Sequence, residues 1–180
     1  GGNNFGCNVR AIADYVQTAG PKAKIIWAST PLLSKTESSF HGIVIKSIFY
    51  YYHLFTAKYV ISNHRFNKQT YPYKRRGQVY LQTWHGTALK RIENDAFLSE
   101  GYVKSAKYDS TLIDIFISGS RFMTEIYKKS FWYNGKVVET GTPRNDIFFG
   151  KHPEIIQKMR QTLNIKPNEK ILLYAPTFRT

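Results

Sequence analysis

Short apolar runs alternate along this chain with longer segments of helical period. The runs KIIWA (24–28), KYVIS (58–62), VYLQTW (79–84), LIDIFIS (112–118), KVVET (136–140) and KILLYA (170–175) are rich in β-branched and aromatic residues and read as strands. Residues 7–18, 39–56, 87–92, 120–131 and 153–163 place apolar side chains at helical spacing and read as helices. Residues 93–111 are polar and mixed and fit neither period. Strands alternating with helices predict an α/β fold, a Rossmann-like parallel sheet wound with helices. No internal repeat or low-complexity segment interrupts it. The pattern changes near GKHPE (150–154), so residues 1–150 are expected to form one domain and residues 151–180 to open a second.

The residues that follow each strand narrow the chemistry. They are SNHR (62–65), HGT (85–87), SGSR (118–121), TGTPR (140–144) and PTFR (176–179), where small hydroxyl or glycine residues recur with a base. In wound α/β sheets ligands bind at the carboxyl ends of the strands, where helix N-termini offer free N–H groups to anions. The repetition therefore predicts a phosphate-facing rim. Thr87 and Ser120 have the chemistry of N-caps, and Thr142 followed by Pro143 fits a cap with proline at the first helical position. A capped helix is enough to explain any one of these loops; five together point to a ligand.

Charge agrees with an anionic partner. Lys and Arg number 26 against 12 Asp and Glu, a formal charge of +14, which suits phosphates, nucleic acid or acidic membrane surfaces. The bases are dispersed, with RRG (75–77) the one dense spot, so nucleic acid is not the expected partner. There is no GxGxxG after the first strand, no GxxxxGK[ST] and no GxSxG, which removes support for dinucleotide-binding, P-loop and serine-hydrolase readings. The single Cys7 excludes an internal disulfide and gives no metal-ligand spacing, so a cytoplasmic location is the simplest reading. No signal peptide opens the chain and no run of about 18 apolar residues could span a bilayer. Residues 42–61 come closest, with Phe49, Tyr50, Tyr51, Tyr52 and Phe55 between Lys46 and Lys58. Such a segment suits either a helix packed on the sheet, the favoured reading, or a membrane interface.

His85 is the candidate reactive group. A neutral imidazole, with an ordinary pKa near 6.5, can take a proton from a hydroxyl near neutral pH. Gly86 beside it would let a substrate approach the backbone closely. Lys90 lies three residues after Thr87, so a helix starting there would turn its ammonium back to the rim. Spacing alone leaves a lone histidine more often structural than catalytic.

The same residues carry a resemblance. QTWHGTALKRI (82–92) resembles the QTWHGTPLK signature of the CDP-glycerol glycerophosphotransferase family, the teichoic acid primases and polymerases of Gram-positive bacteria and related capsule enzymes. FGCNVRAIADYV, KYVISNHR, DIFISGSRF, VETGTPRNDIFF and ILLYAPTFR follow in the family's order, so the resemblance spans nearly the whole chain. It implies the N-terminal half of a GT-B two-domain architecture, with residues 1–150 on the acceptor side and 151–180 starting the nucleotide-donor domain. It implies transfer of a polyol phosphate, glycerol phosphate first, from CDP-glycerol or CDP-ribitol to a hydroxyl of a lipid-linked polyol-phosphate acceptor. The enzyme would need no metal or cofactor and would work peripherally on the inner face of the cell membrane. His85 would be the general base; Gly86, Thr87, Lys90, Ser120, Arg121, Arg144, Asn145, Thr177 and Arg179 would bind substrate and its phosphates. Ala88 stands where the family often has proline, and Cys7 where it often has Asp or Gly; neither change removes a reactive group.

The family's second catalytic histidine and most of its CDP-binding residues fall beyond Thr180, and the chain starts Gly1-Gly2 and stops just after an apolar run. A piece of a longer protein is therefore expected, inactive when isolated, and measurable turnover by these 180 residues alone would overturn that expectation. The rival readings are an inverting GT-B glycosyltransferase with a nucleotide-sugar donor and a non-catalytic module that binds anionic polymers.

Overall fold

The computed structural model describes residues 5–30, 40–150, 152–166 and 168–175. Helix α1 (Cys7–Thr18) precedes strand β1 (Ile26–Ser29), which pairs in parallel with β2 (His41–Val44) as a two-stranded sheet. Strands β3 (Tyr59–Ser62), β4 (Val79–Gln82), β5 (Ile115–Ser118) and β6 (Lys136–Glu139) form a second sheet in that order, each pair parallel. Parallel neighbours require crossovers. Helix α4 (Arg121–Ser130) joins β5 to β6, and a 3-10 turn (Glu93–Asp95) with helix α3 (Glu100–Leu112) joins β4 to β5. The α/β, parallel and wound architecture is the expected one, with the strands gathered into two sheets.

The core lies on one face of the four-stranded sheet. Tyr71, Tyr80, Phe116 and Phe131 are fully buried, and Phe116 stacks on Tyr127 of α4 with ring centroids 3.9 Å apart. The connection from β3 to β4 has no helix. It is held by Tyr71, whose hydroxyl donates to Gln78 at 2.6 Å, while the Gln78 amide donates to the carbonyls of Leu54 and Ala57.

Several expected elements differ. The helix expected over 39–56 is β2 followed by α2 (Ile48–Thr56): the β-branched run at 43–45 finds a partner in β1, and Ser47 caps the helix by accepting from the Tyr50 N–H at 3.1 Å. The helix expected at 87–92 does not form. Its residues run irregularly because Ala88 N–H donates to the Met123 sulfur at 3.2 Å and Ile92 is extended, delivering Glu93 to a buried partner; six residues of propensity do not outweigh these tertiary ties. Thr87 is consequently not a cap. Helix α3, in the segment that fitted no period, has mean character too polar to show an apolar stripe, and its Ser99 cap accepts from Tyr102 N–H at 3.3 Å.

The chain divides into two compact units, Gly1–Asp146 and Ile147–Thr180. The second contains α5 (Pro153–Thr162), with proline in its first turn as a helix start prefers. The strand expected at 170–175 is not formed; among the described residues no other segment pairs with it, and Leu172, Leu173 and Tyr174 stay exposed.

Candidate active site

Four of the five loops picked out by their composition lie at one edge, because β3 to β6 all run the same way. Asn63 to Arg65 follow β3, Thr83 to Gly86 follow β4, Gly119 and Ser120 follow β5, and Gly141 to Arg144 follow β6. PTFR, with Thr177 and Arg179, lies outside the described residues.

Side by side on this edge, after β3 and β4, stand two histidines. The rings of His64 and His85 are 5.0 Å apart, centroid to centroid. His85 stacks on the indole of Trp84 at 4.3 Å and 23°, so an apolar face backs it while its edge remains exposed. Trp84 has φ +50°, a left-handed conformation that a bulky residue seldom adopts. Three ties hold it: its N–H donates to Gln82 Oε1 at 3.0 Å, its carbonyl accepts from Thr83 Oγ1 at 3.0 Å, and Asn8 Nδ2 donates to the same carbonyl at 3.1 Å. Asn8, at the start of α1 and only 2% exposed, also accepts from Arg144 N–H at 3.3 Å. One helix start thus links the turns after β4 and β6.

Arg144 closes the arrangement. Its guanidinium donates to the His85 carbonyl at 2.8 Å and to the Cys7 sulfur at 3.3 Å, and lies 3.7 Å from where a Gly86 side chain would begin. That is ordinary van der Waals contact, so the space beside the guanidinium would admit a small side chain at 86. Gly119 is a stricter case: a Cβ there would collide with the Thr142 hydroxyl, so glycine lets the turns after β5 and β6 meet.

Both imidazoles are kept neutral. Partial burial, with the charge of His85 as a lesser contribution, pushes His64 down to about 4. Burial likewise lowers His85, helped by the Arg144 guanidinium and opposed by Glu93. A neutral imidazole at neutral pH is the form that accepts a proton.

Of the expected site residues, His85, Gly86 and Arg144 are brought together directly. Ser120 is engaged as the cap of α4, accepting from Met123 N–H at 3.3 Å, with Arg121 exposed in that first turn. Asn145 is exposed in the 3-10 segment Pro143–Phe148, which forms in place of the α-helix expected after Thr142. Thr87 and Lys90 are exposed on the irregular stretch leaving His85, so Lys90 is not carried back to the rim by a helix. Sequence reasoning passed over His64, Arg65, Gln82 and Asn8. SNHR and FGCNVR contained the signal, but nothing in their spacing announces that loops 20 residues apart converge. Among the described residues no group of three or more His, Cys, Asp or Glu could hold a metal ion.

A parallel wound sheet thus carries two imidazoles and a guanidinium at its carboxyl edge, where wound α/β sheets take their ligands, so a proton acceptor and an anion-binding group stand together there. The chain belongs to the CDP-glycerol:poly(glycerophosphate) glycerophosphotransferase family, whose model matches residues 1–180. It is 31% identical to a teichoic acid poly(glycerol phosphate) polymerase of Staphylococcus epidermidis, covering 99% of this chain and 26% of that protein. A polymerase of the same description from Bacillus spizizenii is 32% identical, over 99% of this chain and 48% of its own length. Among solved structures, the wall teichoic acid polymerase TagF, as a histidine-to-asparagine variant soaked with CDPG, superposes with a TM-score of 0.87 at 30% identity, covering 99% of this chain and 46% of that one. The chain thus spans about half, or about a quarter, of the length of these relatives.

Proposed function

We propose that this chain is the acceptor-side part of an enzyme that moves glycerol phosphate from CDP-glycerol to a hydroxyl of a lipid-linked polyol-phosphate acceptor, in the synthesis of teichoic acid or a capsule polymer. The observation that carries the proposal is the pair of imidazoles 5.0 Å apart at the carboxyl edge of the sheet, flanked by Arg144. His85 takes the proton of the acceptor hydroxyl as its oxygen bonds to the β-phosphorus; the phosphoanhydride bond breaks and CMP departs with the electron pair. His64 stands beside it as a second neutral imidazole that can share or relay the proton. Arg144, Thr87, Lys90, Ser120, Arg121 and Asn145 offer donors to phosphate oxygens, Arg144 from the position nearest the base. The donor half of the reaction belongs to residues that the relatives carry in their additional length, and residues 151–180 begin that domain. The test is CMP release by the full-length protein from CDP-glycerol, CDP-ribitol and a panel of nucleotide sugars, with and without a lipid-linked glycerophosphate acceptor. Acceptor-dependent release from CDP-glycerol supports the proposal; turnover of a nucleotide sugar alone replaces it with a glycosyltransferase.

The acceptor's lipid anchor requires work at a membrane, and no helix among the described residues is long and apolar enough to cross one. Helix α2 supplies a surface for peripheral binding on the cytoplasmic side. It buries Tyr50 and Leu54 but leaves Ile48, Phe49 and Tyr52 at 79%, 66% and 62% exposure. Arg75 sits at its C-terminal end, donating to the Phe55 carbonyl at 3.1 Å, with Lys46 and Lys58 at the two flanks. Exposed aromatics ringed by bases suit an anionic headgroup layer. Replacing Ile48 and Phe49 by serine is expected to reduce co-sedimentation with anionic vesicles, and added salt to weaken it for the unaltered protein. Binding indifferent to anionic lipid content would rule this surface out.

A further inference from the structure

We infer that Gln82 is a positioning residue whose buried amide clamps the two histidine-bearing turns together and so sets the spacing of the imidazoles without touching substrate. The inference rests on the reading of this edge as the acceptor-activating site.

Gln82 ends β4, a central strand of the four-stranded sheet, and its residue is fully buried between Tyr80 and Trp84 on the core-facing side. A primary amide there is unfavourable unless its donors and acceptor are matched. They are, and by groups on both sides. Nε2 donates to the His64 carbonyl at 3.0 Å and to the Tyr80 hydroxyl at 2.8 Å, while Oε1 accepts from Trp84 N–H at 3.0 Å. One end of the amide therefore holds the turn after β3, and the other holds the residue before His85. Reversing the amide would set its N–H groups against the Trp84 N–H and its oxygen against the His64 carbonyl, so only one orientation satisfies the site.

The bonds form a closed circuit. From Gln82 the Tyr80 hydroxyl donates to Asp109 Oδ1 at 3.1 Å; Asp109 Oδ2 accepts from Arg65 at 3.2 Å; Arg65 follows His64 in the chain. The circuit returns to the turn it started from. The β3–β4 pairing ends in the Thr83 N–H to Ser62 carbonyl bond at 2.9 Å, and the Ser62 hydroxyl accepts from His64 N–H at 3.1 Å and donates to the His64 carbonyl at 2.9 Å. These bonds join the strands and tie the His64 turn to its own strand, whereas the Gln82 amide joins that turn to the residue before His85. An apolar residue at 82 would fill the space and leave the Trp84 N–H and the His64 carbonyl without this partner.

Two substitutions in the full-length protein test this. Gln82→Met keeps the volume and removes every hydrogen bond. Gln82→Glu keeps the acceptor for Trp84 N–H but, while ionised, opposes the His64 carbonyl; protonation restores a donor. The groups around the new carboxyl are Tyr80 of β4, His64 and Arg65 of the turn after β3, and Asp109 of α3, with Glu93 behind Arg65. At about pH 8 both variants are expected to lose about tenfold or more in kcat with little change in the KM for CDP-glycerol, the pattern of misplaced rather than lost contacts. On acidification the Gln82→Glu rate recovers relative to the unaltered enzyme, because burial favours the protonated carboxyl, whereas the Gln82→Met ratio stays constant. NMR titration of the imidazoles gives an independent readout: in Gln82→Met the midpoints of His64 and His85 are expected to rise towards ordinary imidazole values as the turns loosen. Unchanged kcat and unchanged midpoints in both variants would overturn the clamp. Shifted midpoints in a protein that transfers nothing would retire the acceptor-activating reading and keep the clamp; normal transfer with unshifted midpoints would do the reverse. If Gln82→Met does not fold, the acid recovery of Gln82→Glu decides alone.

Discussion

Replacing His85 by alanine is expected to lower acceptor-dependent CMP release from CDP-glycerol about a hundredfold or more, the range for removing a general base. The Arg144 bond to the His85 carbonyl and the bonds of Gln82 and Asn8 to the Trp84 backbone hold the turn, and alanine preserves them, so the turn should survive the loss of the ring and of its stack on Trp84. The loss should fall on kcat more than on KM, because the imidazole acts on the proton in flight. The pH profile gives a second measure. Burial and Arg144 lower His85, and burial pushes His64 down to about 4, so the base stays neutral and the rate holds as pH falls through the ordinary imidazole value near 6.5. The acid limb of kcat/KM should therefore inflect below about 6.5. An inflection at or above that value, or an alanine variant as active as its parent, would leave His85 a structural residue at a strand end.

Replacing Arg65 by methionine is expected to destabilise the chain by about 3–5 kcal/mol, measured by urea unfolding, because it strands two buried carboxylates. Arg65 pairs with Glu93 at 3.0 Å and Asp109 at 3.2 Å, and the two carboxylate side chains are 1% and 0% exposed. Its guanidinium also donates to Ser110 Oγ at 2.7 Å and to the carbonyls of Ala106 and Phe131. The anions have other donors: Tyr102 hydroxyl reaches Glu93 at 2.7 Å, and Phe66 N–H reaches Asp109 at 3.0 Å. Even so, burial outweighs the cation and raises the Asp109 pKa, which shows how poorly the site tolerates its charge. Against a total stability of about 5–15 kcal/mol, a loss of this size is severe. Arg65→Lys should recover only part of it, since an ammonium cannot serve the α3, 3-10 and α4 partners in one plane as the guanidinium does. A loss under about 1 kcal/mol, the worth of an exposed pair, would mean that the network is solvated.

These two residues show different degrees of legibility. His85 was visible as a candidate because a histidine and glycine between an apolar run and a basic segment is an unusual local pattern, and β4 does end just before it. Arg65 was visible only as one base in SNHR. Its partners Glu93 and Asp109 lie 28 and 44 positions away, in the stretch where neither period could be read. Local pattern carries no information about such pairings.

The alternation of runs, set by the two side-chain periods, was enough to determine an α/β chain of parallel strands, and parallel strands must put their following loops at one edge. From that alone the rim and most of its residue types follow. The helix at 87–92 failed because a six-residue stretch has too little cooperativity of its own, and the sulfur of Met123 and the pocket for Glu93 decided its path. The pairing of His64 with His85, the Asn8 bridge to Arg144 and the orientation of the Gln82 amide were settled only by tertiary structure. Each depends on distances between segments remote in the chain, fixed by strand order and by the requirement that buried polar groups find partners.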